Sequence, residues 1–376
     1  MVDEIPSNIT ILRQPIWEPN NFLSLFKSKK TRQSAGFLNP NPSFFGKILQ
    51  YIRANYFIPD ARKYWVKPSV KYLKKYLLEH EIDVIITSGP PHSLHLIGLE
   101  LKKELGVKWI SDFRDPWTAI DYFQQLPLTK KSKEKHQKLE EQVLRNSDAV
   151  LVIGETMKKK IAPFSKNIQV ITNGFDDVIL PNGELILDRT FSITHIGMMN
   201  ADRNPKVLWK VLSEICKENT EFKKDLEVKL IGKIADEVDE SLIKYRIKNV
   251  TKIAYVSHQK VADYQQRAQV LLLAVNKVPS AKGIITGKIF EYLQAKRPIL
   301  AIAPTDGDLA GIIKETNAGF VIDFDDEKSM KKIILKLYFS FKANELSVDS
   351  KNIEKYHRKE LTRDLSEIIK ETITRK

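Results

Sequence analysis

A chain of 376 residues is longer than one ordinary domain and predicts two. With 42% apolar and 29% charged residues, and no apolar run near the roughly 18 residues of a bilayer span, the composition is that of a globular protein and excludes a helical integral membrane protein. Cys216, the single cysteine, excludes an internal disulfide, and no metal-ligand spacing surrounds it, so a reducing, cytoplasmic setting fits. Asp3 and Glu4 stand where a signal peptide would be basic and then apolar.

In chain order, residues 9–13 (I-T-I-L-R) read as a strand, and 19–46 as irregular chain rich in Asn, Pro, Ser and Lys. Helices are expected at 47–56 and 68–80. The net charge of +14 is concentrated here. Residues 20–80 carry twelve Lys or Arg against only Asp60 and Glu79, with Phe44, Phe45, Tyr51, Tyr56, Phe57, Tyr64, Trp65, Tyr72 and Tyr76 among them. Basic residues beside aromatic rings suit an anionic membrane surface, a solvated basic face or, as the outlier, nucleic acid. No recognition helix or stacking motif supports the last, and no nucleic-acid partner is expected.

From residue 83 strands and helices alternate. Strands are expected at 83–88, 107–112, 148–153 and 168–172, with helices at 93–105, 131–146 and 155–162. This is the rhythm of a parallel sheet covered on both faces. An irregular stretch follows N-G-F-D-D (173–177), and the rhythm restarts. Strands are expected at 191–196, 226–231, 251–255, 270–275, 298–302 and 319–323. Helices are expected at 205–218, 258–267, 287–295, 307–316, 327–343 and 351–374. The predicted organisation is an N-terminal domain over 1–178, a second domain over 190–345 and a C-terminal helix over 350–376 that packs back on the first. Ligands of such sheets bind beyond the carboxyl ends of the strands.

Residues 283–298 (G-I-I-T-G-K-I-F-E-Y-L-Q-A-K-R-P) carry the strongest chemical signal. A helix N-terminus offers unpaired N–H groups and partial positive charge to a phosphate. Gly283 and Gly287 permit close backbone approach, and Thr286, Gly287 and Lys288 become candidate diphosphate ligands. Glu291, one turn further on, is placed to accept hydrogen bonds from ribose hydroxyls. The alternative is an ordinary loop, helix and strand of an α/β domain. A P-loop is excluded, because Gly283, Gly287 and Lys288 have the wrong spacing.

Seven segments in order resemble glycosyltransferase family 4. They are T-S-G-P-P-H-S-L-H-L-I-G (87–98), S-D-F-R-D-P-W-T (111–118), N-S-D-A-V-L-V-I (146–153), V-I-T-N-G-F-D (170–176), T-H-I-G-M-M-N-A-D-R-N-P (194–205), G-I-I-T-G-K-I-F-E-Y-L (283–293) and P-T-D-G-D-L-A-G-I-I (304–313). The resemblance implies the GT-B fold, two Rossmann-like doubly wound domains facing a cleft. It implies transfer of a sugar from a nucleotide-sugar donor to a lipid-linked or glycan acceptor, with retention, no metal and no cofactor. The donor site would then hold Gly197, Arg203, Gly283, Thr286, Gly287, Lys288 and Glu291. The catalytic group would be Asp112, Arg114 and Asp115, with His92 and His95 on the acceptor side. An ion-pair network supporting a loop is the structural alternative for the catalytic three.

Three departures from the family pattern matter. Gly283 occupies the place of the first of two glutamates, and only Arg203 of a usual basic pair is present, followed by Asn204. Arg114 stands where many members have a histidine; it cannot act as a base at neutral pH, so it would stabilise charge. Third, the family's opening strand, helix and strand have no counterpart, so the N-terminal domain is expected to be incomplete. Met1 is then an internal methionine of a longer product, the gene is truncated, or a separate chain supplies the missing segment. The readings that remain open are a membrane-peripheral glycosyltransferase of cell-surface glycan synthesis, an inactive binding module derived from one, and another GT-B enzyme such as a nucleotide-sugar epimerase.

Overall fold

The computed structural model describes residues 6, 8–17, 44–177 and 186–375. Most of the irregular segment expected at 19–46 lies outside these, as do Lys27, Lys29, Lys30 and Arg32. The elements in order are α1 (Phe44–Tyr56), α2 (Val66–Glu79), β1 (Val84–Gly89), α3 (Ser93–Leu105), β2 (Lys108–Phe113), α4 (Lys130–Asn146), β3 (Ala149–Val152), α5 (Glu155–Ile161) and β4 (Ile168–Val170). They continue with β5 (Phe191–Ile196), α6 (Lys206–Glu218), α7 (Thr220–Asp225), β6 (Leu226–Ile231), α8 (Asp236–Lys244), β7 (Val250–Ile253), α9 (His258–Arg267), β8 (Val270–Ala274) and α10 (Lys288–Ala295). The last are β9 (Ile299–Ile302), α11 (Asp308–Thr316), β10 (Gly319–Ile322), α12 (Glu327–Lys342) and α13 (Arg358–Thr374).

One expected strand is absent: residues 9–13 adopt no regular structure. Their alternation finds no neighbouring strand to complete a ladder, and Ile9, Ile11 and Leu12 stay exposed. The last helix begins at Arg358 rather than 351, because Glu354–Tyr356 forms a separate 3-10 turn. Two helices were not anticipated. α7 is nucleated by Asn219, whose side chain accepts from the Phe222 amide, and α8 opens on three acidic residues that suit a helix N-terminus.

The chain divides into two units. The first lies within Met1–Val152, Lys160–Gln169 and Ile368–Lys376; the second comprises Ile153–Lys159 and Val170–Glu367. In the first, the strand order is β1-β2-β3-β4, with β1–β2 and β2–β3 parallel. β1 is the edge of this sheet among the described residues, and Ile86 on it is 44% exposed. α3 packs Ile97 and Leu101 against Val70 of α2.

In the second unit six parallel strands run β10-β9-β8-β5-β6-β7. Read from the other edge, this is the doubly wound order in which the first strand is central and its two neighbours continue in opposite directions. β8 (V-L-L-L-A) and β9 (I-L-A-I) are continuous apolar runs because both faces are covered, while β5, β6 and β7 mix apolar with polar residues. On one face Phe191, Ile193, Val228, Leu272 and Leu300 pack with Trp209 of α6 and Tyr338 of α12. On the other, Leu271, Leu273, Ile299 and Ala301 pack with Ile289, Phe290 and Leu293 of α10. The crevice of such a sheet opens at the carboxyl ends of the two strands where the order reverses, here β5 and β8.

Candidate functional site

The loops leaving β5 and β8 converge on a group of cations. After β5 the chain turns at Gly197 with φ of 107°, in the left-handed region that favours glycine. A Cβ there would lie 2.7 Å from Lys288 Cε. The loop continues into a 3-10 turn, Ala201–Arg203, capped by the Asn200 side chain, which accepts from the Arg203 amide at 3.0 Å. Arg203 donates through its guanidinium to the Met198 carbonyl at 3.1 Å. Asn204, the partner of Arg203 in sequence, serves the fold: its amide donates to the Glu237 carbonyl and Ser241, and its oxygen accepts from Trp209.

After β8 the chain passes Gly283 and enters α10 at Lys288, with Gly287 as its N-cap. The space over Gly287 is open; a Cβ there would meet nothing within 4 Å. At Gly283 a Cβ would instead come within 3.1 Å of Thr156, so that glycine admits α5. Thr286 precedes the helix, and its carbonyl accepts the Ile289 amide. Lys288 is half-buried along its stem, but its ammonium end lies deep, 3.3 Å from His195 Nε2. Burial first, and then the charge of Arg203, lower its pKa from 10.5 to about 7, against the opposing pull of Glu291. Glu291 accepts from the Gln265 amide at 2.8 Å. Tyr292, fully buried, accepts the Ile196 amide at 3.2 Å through its hydroxyl and so ties α10 to the end of β5.

The first unit gathers a second group at the carboxyl ends of β1 and β2. Asp112 is partly buried and accepts a 2.5 Å hydrogen bond from Ser88. Burial raises its pKa, with the Ser88 bond and the Arg114 charge acting against the rise. Arg114 is exposed and donates to the Pro90 carbonyl at 2.8 Å, while its amide donates to the Gly89 carbonyl. Asp115 follows, half-buried.

His92 and His95 lie inward of this group. His95 is fully enclosed, with Nδ1 2.9 Å from Thr87 Oγ1 and its ring stacked on Phe113. His92 stacks on Trp117 at 4.7 Å, and Trp117 donates to His136 at 3.0 Å. Burial is the main cause that lowers the pKa of His92 and of His136 to about 4 and of His95 to about 3, so all three are neutral at physiological pH. Asp60 caps the start of α3 by accepting from the Ser93 amide and hydroxyl, each at 2.9 Å.

Sequence reasoning missed His195, Gln265 and Tyr292. The signal for His195 was present in F-S-I-T-H-I, where a histidine takes a core-facing step of an alternating strand. Asp308 opens α11. Its carboxylate accepts from the Thr156 amide and hydroxyl at the start of α5.

Comparison with known proteins adds two family matches. The family described as Glycosyltransferase Family 4 matches residues 33–178, and that described as Glycosyl transferases group 1 matches residues 190–339. No curated protein sequence matches the chain. Among solved structures, sucrose-phosphate synthase from Thermosynechococcus elongatus is similar with a TM-score of 0.56 at 13% identity, over 82% of this chain and 78% of that one. TarM from S. aureus, in complex with UDP, has a TM-score of 0.54 at 16% identity, over 81% of this chain and 58% of that one. A UDP-forming α,α-trehalose-phosphate synthase from Burkholderia xenovorans has a TM-score of 0.54 at 10% identity, over 81% and 77%. At these identities the likeness is one of fold, the pair of Rossmann-like domains called GT-B.

Proposed function

We propose the following reaction for the chain, which is a glycosyltransferase of the family 4 type with the GT-B fold. The second unit holds the diphosphate of a nucleotide-sugar donor at the start of α10, with Lys288 and Arg203 balancing its charge and the Thr286 and Gly287 backbone approaching it. Glu291 receives the ribose hydroxyls. The sugar passes, with retention and without a metal, to a lipid-linked or polysaccharide acceptor of the cell surface. Two cations and an open helix N-terminus at the switch point of a doubly wound sheet are the observation that carries this reading. Leaving-group charge then develops where fixed positive charge already stands, which is the largest lever available to a transferase.

Arg114 would stabilise charge on the acceptor side, with Asp112 and Asp115 orienting it or the acceptor hydroxyl. The exposed Phe44 (74%) and Phe45 (76%), with Lys47 and Arg53 on the same helix, support a peripheral site on the inner face of an anionic membrane. Among the described residues no helix is long and apolar enough to cross a membrane.

The test is a thermal-shift titration with UDP, GDP, ADP and their sugar conjugates, on this chain and on Glu291→Ala. A ligand bound by the native state alone raises the melting temperature. A shift with one nucleotide class that shrinks in Glu291→Ala, together with sugar transfer or donor hydrolysis, is the expected result. A folded chain that responds to no nucleotide would sink the reading.

A further inference from the structure

A histidine inside the apolar layer of a parallel sheet is costly unless both ring nitrogens are used. His195 occupies such a place. It pairs in register with Leu230 of β6 and follows Phe191 and Ile193 on the side of β5 that packs with α6 and α12. It is 0% exposed. Its nitrogens have specific partners: Nδ1 lies 3.1 Å from the Leu272 carbonyl and Nε2 3.3 Å from Lys288 Nζ. A carbonyl only accepts, so Nδ1 carries the proton. Burial first, and then the charges of Lys288 and Arg203, keep the ring neutral against the opposing pull of the Leu272 and Met198 backbone, and with the proton on Nδ1 the Nε2 lone pair is left to the lysine.

The lysine is guided from its other side by Gly197, whose missing Cβ leaves room for Lys288 Cε and Nζ. Around the ammonium stand His195 from β5, Arg203 from the loop after β5, and Glu291 from α10 itself. An ammonium has three donors, and one spent on His195 leaves two for phosphate oxygens.

We propose that His195 is a positioning residue for sugar transfer, whose Nε2 fixes the Lys288 ammonium at the carboxyl end of β5, where the donor diphosphate is received. The role rests on the donor-site reading above. His195 touches no substrate. A lysine already aimed gives up less freedom when the diphosphate arrives than one swinging on four bonds.

The test is calorimetric titration of UDP, GDP and ADP, and of the matching monophosphates, into the wild type and variants. His195→Leu is expected to remain folded, with the loss of the Leu272 and Lys288 contacts lowering its melting temperature by a few degrees. Its diphosphate affinity should fall about 10-fold and its monophosphate affinity less than about 3-fold, the effect of leaving one rotamer-rich side chain to be ordered by the ligand. His195→Gln, whose amide can donate to Leu272 and accept from Lys288, should recover part of the loss. On a Lys288→Met background, His195→Leu should cost nothing further. Should His195→Leu fail to fold, His195→Asn, too short to reach Lys288, takes its place.

Wild-type diphosphate affinity in His195→Leu, an equal loss for mono- and diphosphate, or the same loss on the Lys288→Met background would each overturn the positioning role. If Lys288→Met weakens diphosphate binding and His195→Leu does not, the positioning role alone fails. If Lys288→Met binds the diphosphate as the wild type does, or no nucleotide binds at all, the donor-site reading fails and this role with it.

Discussion

Replacing Lys288 by methionine should make the ligand-free protein more stable while it removes the donor cation. In the unfolded chain Lys288 holds its proton up to an ordinary pKa of 10.5; in the folded chain it lets go near 7. Between those two values the unfolded state binds more protons than the native one, so this group makes stability rise with pH across the window. At pH 7 and below, the native state carries the whole cost of burying the ammonium. At about 1.36 kcal/mol per pH unit, the gap amounts to roughly 5 kcal/mol as an upper bound, and screening at the half-buried stem reduces it. Methionine keeps the length of the stem but leaves His195 Nε2 without its donor, a loss of about 1–3 kcal/mol. The net expectation is a gain of about 2–3 kcal/mol at pH 6, shrinking at about 1.36 kcal/mol per unit above pH 7. Native-state hydrogen exchange of the β5 and β8 amides at pH 6, 7, 8 and 9 measures the second unit alone. A variant less stable than the wild type at pH 6, or a gain equal at pH 6 and pH 9, would refute the reasoning.

Other expectations follow from the same contacts. Donor diphosphate should bind the protonated lysine, so its Kd should be flat below pH 7 and rise up to about 10-fold per unit above it; calorimetry on Lys288→Arg should show a flat profile to pH 9, since arginine stays charged. Gly197→Ala forces a left-handed φ on a residue with a Cβ and drives that Cβ into the Lys288 stem. It should cost about 1–3 kcal/mol in urea denaturation and lose diphosphate affinity as well. Arg114→Ala should lower kcat on the order of 100-fold with donor Kd unchanged, and a changed Kd with intact kcat would place Arg114 outside the reaction. Phe44→Ser with Phe45→Ser should abolish flotation with phosphatidylglycerol vesicles and leave melting unchanged, because neither ring is buried in the fold.

Much of the second unit was legible because its strands are short apolar or alternating runs between helices of clear period. Residues 191–196, 226–231 and 258–267 have the bounds that local pattern assigns. The α10 segment was legible as chemistry as well, since glycine, lysine and glutamate lie within one turn of a helix start. Residues 9–13 have the same local alternation as a true strand and form none, because a strand exists only if another chain segment pairs with it. α7 was hidden because six residues are too few for a periodic signal.

The sequence by itself determined the class of the molecule. Alternating apolar periods require parallel sheets with helices on both faces, the glycine and lysine at 283–288 mark an anion-seeking loop, and a single cysteine excludes disulfide stapling. Tertiary structure decided which groups act together. His195 and Lys288 are 93 residues apart, and nothing local in the sequence shows that they meet. They meet because the strand order reverses between β5 and β8, which brings the loop of one and the helix after the other to the same end of the sheet. The ammonium's loss of affinity for its proton, the tautomer of the imidazole and the need for glycine at 197 all arise from that meeting, because each depends on distance through a low-dielectric interior rather than on separation along the chain.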